Sequence, residues 1–563
     1  MELSWLKIEN YRGIEKLEID LEPSTVLIGV NSIGKTSVLR AIDTVLGRYT
    51  GRGGRIQDYD HRRKDANRDL PDGHQVTITA TFVEHEDRPW KLPAAQALND
   101  AIQLDEEGRR SIIARLRDTY DGKSREFEPE FVFLNSEGDP LPIRLQEQAL
   151  REFVPAFYLS SERSAGSDFR SGARFWAPFL RDPTLDKDER RALETKLREV
   201  GAAVKAASPG LAEVRNVMEG ARGMIELNEQ DPVSLEPLPA TLSEVLRQTE
   251  VRFIGPTGAS VALDLHGGGA QNVAVLYLFQ AYLNAALTNE YAEDATPVLA
   301  LEEPEAHLHP AATRASWKVL SEMKGQKVIA THSGELLSLV PLSSIRRMTR
   351  AGSEVEVRRV EPDTLTKEEE RKVDFHIRRT RGELLFGDVW LMAEGESEYW
   401  VISGAAEALG IDLEGAGLRV VECLSQSGGP SPLIRVADDL GIAWHCFFDE
   451  DDQGKRSVET VQGLLGSRDK DAHLTMLGYP RIEHLLCNEG FGKIYFDALD
   501  ENERADLPPE GDAGYWSAVA DKIKNKRKVR LAVEAADQMR ATGEPVPGVI
   551  ERVLKAALKL KSR

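Results

Sequence analysis

The chain has 563 residues, 41% hydrophobic and 29% charged, an ordinary balance for a folded protein and a length that points to about three or four domains. The net charge of −21 excludes non-specific adhesion to nucleic acid over the whole surface, though not a local basic groove of the kind Arg48 to Arg68 or Lys522 to Arg530 would make. No apolar run is long enough to span a membrane and the N-terminus lacks a secretion pattern. Cys423, Cys446 and Cys487 stand singly, so neither a disulfide framework nor a zinc site is expected, and the cytoplasm is the expected compartment.

Residues 3–10 and 14–21 alternate apolar and polar around Tyr11-Arg12-Gly13, as paired strands do. They lead into Val26, Leu27 and Ile28, a buried strand, after which Gly29-x-x-x-x-Gly34-Lys35-Thr36-Ser37 turns into a helix. That order of strand, glycine-rich loop and helix is a phosphate-binding loop. The glycines let backbone N–H groups, including that of Asn31, curl around phosphates; Lys35 reaches the β- and γ-phosphates, and the Thr36 hydroxyl suits Mg²⁺. The loop by itself implies only that a nucleotide binds.

Gln75 to Phe82 alternates as another strand, and residues 93–150 mix helix and strand. Residues 186–226 carry Leu193, Leu197, Val200 and Val204, then Val214, Met218 and Ile225, at helical spacing on either side of Ser208-Pro209-Gly210. This predicts a helical hairpin, a candidate dimerisation arm, which the Pro-rich stretch Asp231 to Pro239 leaves.

Downstream, His266-Gly267-Gly268-Gly269-Ala270-Gln271 opens a helix, fitting a motif that donates N–H groups to a γ-phosphate held by a second subunit. The apolar strand Val298 to Leu301 runs into Glu302 and Glu303, which suit magnesium and the attacking water respectively. Lys327 to Thr331 is a strand ending in His332, the place for a γ-phosphate sensor. These four motifs in this order resemble the ATP-binding-cassette (ABC) superfamily of the chromosome-maintenance and recombination type. Glu302 stands where that superfamily has Asp, and His266 and Gly267 replace its Leu-Ser; both departures bear on hydrolysis more than on binding.

After a basic stretch from Arg346 to Arg381, a fresh α/β pattern begins. The strand Asp388 to Ala393 ends in Glu394-Gly395-Glu396-Ser397-Glu398, and the strand Trp444 to Phe448 ends in Asp449-Glu450-Asp451. Acids at the ends of neighbouring parallel strands converge in one crevice, where their repulsion calls for hard cations: Mg²⁺, Mn²⁺ or Ca²⁺. This pattern resembles the Toprim domain, and its fusion to a cassette ATPase resembles the OLD (overcoming lysogenization defect) family of nucleases.

The resemblance implies an α/β protein with an ABC-type ATPase in two parts (1–180 and 241–382) around a helical insert (181–240). A Toprim domain (383–500) and a helical segment (501–563) complete the chain. It implies Glu394, Glu398, Asp449 and Asp451 as metal ligands and Glu483 as the acid of a second metal, with Glu394 and Asp449 catalytic and Glu303 the catalytic acid of the ATPase. Lys528 matches the catalytic lysine, with Lys526 a near competitor. The implied activity is two-metal cleavage of DNA under ATPase control, in anti-phage defence or repair, by a homodimer or higher oligomer that a partner protein could accompany. The alternative reading is an ATP-gated DNA clamp with a non-catalytic Toprim domain.

Overall fold

The computed structural model describes residues 1–47, 56–63, 69–145, 147–161, 185–211, 213–214, 236–247, 249, 251–254, 258–423, 429–542 and 546–561. Most of the basic stretch 48–68, the second half of the expected hairpin and most of its Pro-rich exit lie outside these residues.

Among the described residues the N-terminal part holds two six-stranded sheets and a two-stranded one that pairs Arg252–Ile254 with Ser260–Ala262. The first is antiparallel, ordered Ile14–Asp20, Leu3–Tyr11, Gln75–Val83, Arg110–Asp121, Gln103–Leu104, with Glu126–Leu134 also paired to Arg110–Asp121. Its strands alternate because one face is buried: Val76, Ile78, Ala80 and Phe82 point inward while the intervening threonines do not.

The second sheet is ordered Glu354–Arg358, Ile345–Ala351, Ser24–Ile28, Gln326–Ala330, Val298–Glu302, Ala156–Leu159, and is parallel apart from its Glu354–Arg358 edge. Both its faces are covered, so its strands read as unbroken apolar runs. Because neighbouring strands run the same way, the loop after Ile28, the acids after Leu301 and His332 after Thr331 emerge at one edge. The helix Gly268–Asn289 packs Val275, Leu276, Phe279 and Leu283 beneath this sheet.

Within the insert, the helix Lys187–Ala207 is capped by Asp186, which accepts from the N–H groups of Asp188 and Glu189. Gly201 is its one buried residue, and Leu193, Val200 and Val204 are exposed. The expected apolar stripe therefore exists but packs against little of its own chain.

The C-terminal part is a parallel sheet ordered Leu418–Glu422, Val389–Ala393, Ala443–Phe448, Leu474–Met476. The helices Glu396–Ala408, Pro430–Leu440 and Asp452–Leu464 alternate with its strands in the chain. The final helices Asn525–Thr542 and Gly548–Lys561 bury Leu531, Ala535, Met539, Ile550, Val553 and Leu554 in the same core. Helix Asn525–Thr542 lies so close to Glu396–Ala408 that a Cβ on Gly404 would sit 2.5 Å from Ala536. The tail thus completes the second α/β unit.

A single apolar cluster crosses from Val26, Ile28 and Ile329 through Leu337 and Leu385 to Trp390, Trp444 and Phe448. Trp390 and Trp444 are fully buried, with indole N–H groups donated to the Leu384 carbonyl and to Asp438. Truncating either would cost about 3–5 kcal/mol. No helix among the described residues is long and apolar enough to cross a membrane.

Candidate functional site

The first crevice is built on the phosphate loop. Gly29 (φ 149°) and Gly34 (φ 115°) hold backbone conformations that side chains resist, and a Cβ on Gly29 would lie 2.6 Å from the Met348 carbonyl oxygen. Lys35 opens the helix Lys35–Leu46 and its ammonium donates to the carbonyls of Gly29 (2.7 Å) and Val30 (3.1 Å). Burial lowers the Lys35 pKa to about 8, against the opposing pull of Glu303 and Glu302. A phosphate would favour the charged form, and the loop has the glycines needed to approach one, so the residues fit ATP.

The Thr36 hydroxyl donates to one carboxylate oxygen of Glu302, and the Tyr158 hydroxyl donates to the other. Glu303 sits just past the strand with φ 41°, a left-handed conformation that costs a non-glycine residue about 1–3 kcal/mol. Burial lowers the His332 pKa, the Lys35 charge lowers it further, and Glu303 opposes both. A neutral imidazole, Lys35, Glu302 and Glu303 therefore share one crevice. Asn31 is exposed in the loop, and Ser37 is buried in the first helical turn.

Gly268, Gly269 and Gln271 lie at the N-terminus of the helix Gly268–Asn289. Gly268 is exposed, Gly269 abuts the His307 carbonyl, Gln271 donates to the His266 carbonyl, and neighbouring Asn272 donates to that of Ala306. In the first turn the Ala270 and Gln271 N–H groups donate to the Gly267 carbonyl (3.0 and 3.2 Å).

The second crevice lies at the carboxyl ends of Val389–Ala393 and Ala443–Phe448, which pair Ala393 with Phe447. Glu394 accepts from the Asp449 backbone N–H (3.0 Å), locking the two strand ends together. Glu398, in the first turn of its helix, accepts from the Gly395 N–H (3.0 Å). Asp451 caps the helix Asp452–Leu464 by accepting from Gln453 (2.9 Å) and Gly454 (2.7 Å). The helix Ile482–Leu486 brings in buried Glu483, whose carboxylate lies 3.3 Å from the Lys528 ammonium. Lys526, the competitor, is exposed.

These acids are in conflict. Asp449 is buried and its Oδ1 has no hydrogen-bond partner. Burial, followed by the charges of Glu398, Glu394, Glu483 and Asp451, pushes its pKa up to about 9. Burial also raises Glu394 to about 7, with Asp451 and Glu398 adding to the rise and the Asp449 N–H opposing it. Glu398 rises to about 6, again chiefly through burial, with Glu483 adding and Lys528 opposing. Among the described residues no three His, Cys, Asp or Glu side chains are drawn together as a finished metal cage. The unpaired Oδ1 and the all-carboxylate donor set nonetheless fit a hard divalent ion that keeps part of its water shell.

Residues 1–158 match the family described as "AAA ATPase domain", and residues 385–451 match "Overcoming lysogenization defect protein-like, TOPRIM domain". The chain joins an ATPase domain to an OLD-like Toprim domain. Between them, residues 261–383 match "Protein of unknown function (DUF2813)". The ATPase–Toprim chain is 29% identical to "Uncharacterized protein YbjD" of Escherichia coli, over 100% of this chain and 99% of that protein. It is 24% identical to "OLD nuclease" of Thermus scotoductus, over 80% of this chain and 82% of that one. To "Endonuclease GajA" of Bacillus cereus it is 21% identical, over 87% and 81% respectively.

Two contributors to the crevices were missed in the sequence, one without any local signal and one with a faint one. Tyr158 lies 144 positions from Glu302 at the edge of the sheet, and nothing local marks a tyrosine that binds a distant acid. Gly454 abuts the Asp449 carbonyl and Glu394, where a Cβ would lie 2.1 Å and 2.9 Å away. A glycine two residues into a helix, just after an acidic turn, is the trace that close approach leaves.

Proposed function

We infer that this ATPase–Toprim chain is a metal-dependent DNA endonuclease whose cutting is controlled by nucleotide at the ATPase domain. The observation that carries this reading is the buried, unpartnered carboxylate oxygen of Asp449, set among Glu394, Glu398, Asp451 and Glu483 with Lys528 alongside. Mg²⁺ or Mn²⁺, when bound, supplies the positive charge that offsets these acids and the DNA phosphate, and activates water. Glu394, Glu398, Asp449 and Asp451 would hold one ion, and Glu483 would serve a second. Lys528 is the compact charge that stabilises the phosphorane, Lys526 being exposed. In the ATPase, Lys35 offsets the β/γ-phosphates, Glu302 and Thr36 serve magnesium, Glu303 orients water and His332 reads the γ-phosphate.

Gly268, Gly269 and Gln271 act on a second subunit's nucleotide, and the exposed Leu193, Val200 and Val204 form part of the contact that brings it there. Anti-phage defence or DNA repair is the setting, with a partner protein from the same defence system a candidate trigger. The clamp reading, with a non-catalytic Toprim domain, draws on the absence of a finished cage among the described residues. Cleavage of supercoiled plasmid with and without Mg²⁺ or Mn²⁺ separates the two. Metal-dependent nicking or linearisation supports the nuclease, and intact plasmid in every metal leaves the clamp.

A further inference from the structure

Strand Ile345–Ala351 joins the two crevices. Its backbone pairs with the phosphate-loop strand in the register Ile345↔Val26, Arg346↔Leu27, Arg347↔Ile28. Arg347 therefore lies beside the residue that precedes Gly29, and Met348 presses on Gly29 itself. The Arg347 side chain leaves the ATPase altogether. Its guanidinium, 8% exposed, donates to the carbonyls of Gly387 (3.0 Å), Leu440 (3.3 Å) and Gly441 (3.1 Å), and lies 3.4 Å from Asp388 Oδ1.

Those four acceptors have one thing in common. Gly387 and Asp388 begin the strand Val389–Ala393 that delivers Glu394, while Leu440 and Gly441 lead into Ala443–Phe448, which delivers Asp449. The two starts are also tied to each other, since the Ala443 N–H donates to the Asp388 carbonyl at 3.0 Å. One planar cation thus grips both strands at the end opposite their acids, and each strand spans only about 16 Å. Beside Arg347 an open cleft of about 760 Å³ lies between Val30 and Asn31 on one side and Phe386 and Ala443 on the other.

We propose that Arg347 is a positioning residue that converts a nucleotide-driven shift of the Gly29 loop into a displacement of the Glu394 and Asp449 strands, setting the metal site's geometry from the ATPase side. This rests on the nuclease reading above and adds the route by which nucleotide governs it. A shift at Gly29 moves Met348 and the strand that carries Arg347, and short strands gripped at both starts move as rods. The guanidinium's partners, Gly387, Asp388, Leu440 and Gly441, are none of the proposed nucleotide or metal ligands, so its loss leaves both ligand sets in place and removes their coupling.

Arg347→Ala and Arg347→Lys are compared with the parent chain in three readouts. The first is ATP hydrolysis. The second is plasmid cleavage in Mn²⁺ with and without a non-hydrolysable ATP analogue. The third is amide hydrogen exchange over 387–393 and 441–448 with and without that analogue. In the parent, the analogue changes both cleavage and exchange. In both variants ATP turnover stays within about twofold, the ratio of cleavage rates with and without analogue falls to about 1, and exchange no longer responds. The lysine variant preserves the buried charge and the fold but cannot reach two strand starts at once. A full analogue response in either variant overturns the proposal, and the lysine variant alone decides it should the alanine variant not fold. A parent chain whose exchange ignores the analogue overturns it too, even if that chain cuts DNA. A parent that cuts nothing but shows an exchange response lost in the variants leaves the coupling standing and removes only the nuclease.

Discussion

The two crevices both gather acids at the carboxyl ends of parallel strands, yet they meet the resulting charge differently. In the ATPase, Glu302 is bracketed by hydroxyl donors from Thr36 and Tyr158, with Lys35 nearby. In the Toprim domain, Asp449 faces four other carboxylates and has one unpaired oxygen, and Lys528 is engaged with Glu483. The first crevice is largely satisfied by its own side chains. In the second, burial and neighbouring carboxylates raise Asp449, and its Oδ1 is left without a donor. Strand-end acids by themselves do not define a metal site; the supply of donors around them does.

The sharpest way to break this contrast is to remove an acid from the unsatisfied crevice. Glu394→Ala takes away a proposed metal ligand and the acceptor of the Asp449 N–H, so plasmid cleavage should fall to background while ATP turnover, measured on the same preparation, stays near that of the parent. In the other crevice, Lys35→Ala should abolish measurable nucleotide binding and Glu303→Gln should bind nucleotide but turn it over slowly, both read by nucleotide titration and phosphate release. Lys528→Ala should retain Mn²⁺ binding and lose about 10²–10³-fold in cleavage rate, because its charge is needed mostly in the transition state. Lys526→Ala, the paired control, should cut at nearly the parental rate.

The smallest expected effect is on stability. Asp449 titrates at about 9 in the folded chain against about 3.9 unfolded. A carboxyl raised by folding contributes its stability in full below the unfolded pKa and loses it as pH rises through the folded one. The metal-free protein should therefore melt progressively lower between about pH 4 and pH 9. Asp449→Asn should flatten that slope and raise metal-free stability by roughly 1–3 kcal/mol near pH 8, while Mn²⁺ should raise the parent's Tm more at pH 8 than at pH 6.

Much of this arrangement was legible in the sequence, because strands buried on both faces are short apolar runs and the residues at their carboxyl ends carry the chemistry. Gly29 to Thr36, Glu302 with Glu303, Glu394, Asp449 and Asp451 all sit directly after such runs, and the structure groups them into two crevices accordingly. The hidden part comes from packing between segments far apart in the chain. Tyr158 reaches Glu302 only because its strand lies at the sheet edge beside Val298–Glu302. The basic stretch after His332 reads as one charged surface, yet Arg346 and Arg347 are buried struts, Arg346 tying Asp20 and Ser343 together and Arg347 crossing between domains. Charge alone cannot distinguish a solvated arginine from one that fills five donor positions indoors. Nor does composition reveal that the last two helices bury their apolar faces in the Toprim core, since an amphipathic helix does not name its partner.

Whether the Toprim acids, once supplied with a divalent ion, cut DNA is open to a plasmid assay. The most direct test incubates the parent and Asp449→Ala proteins, purified side by side, with supercoiled plasmid in Mn²⁺ and monitors nicking, linearisation and ATP hydrolysis in the same tubes. The expected result is metal-dependent cleavage by the parent, none by Asp449→Ala, and ATP hydrolysis in both. Undiminished cleavage by Asp449→Ala would contradict it.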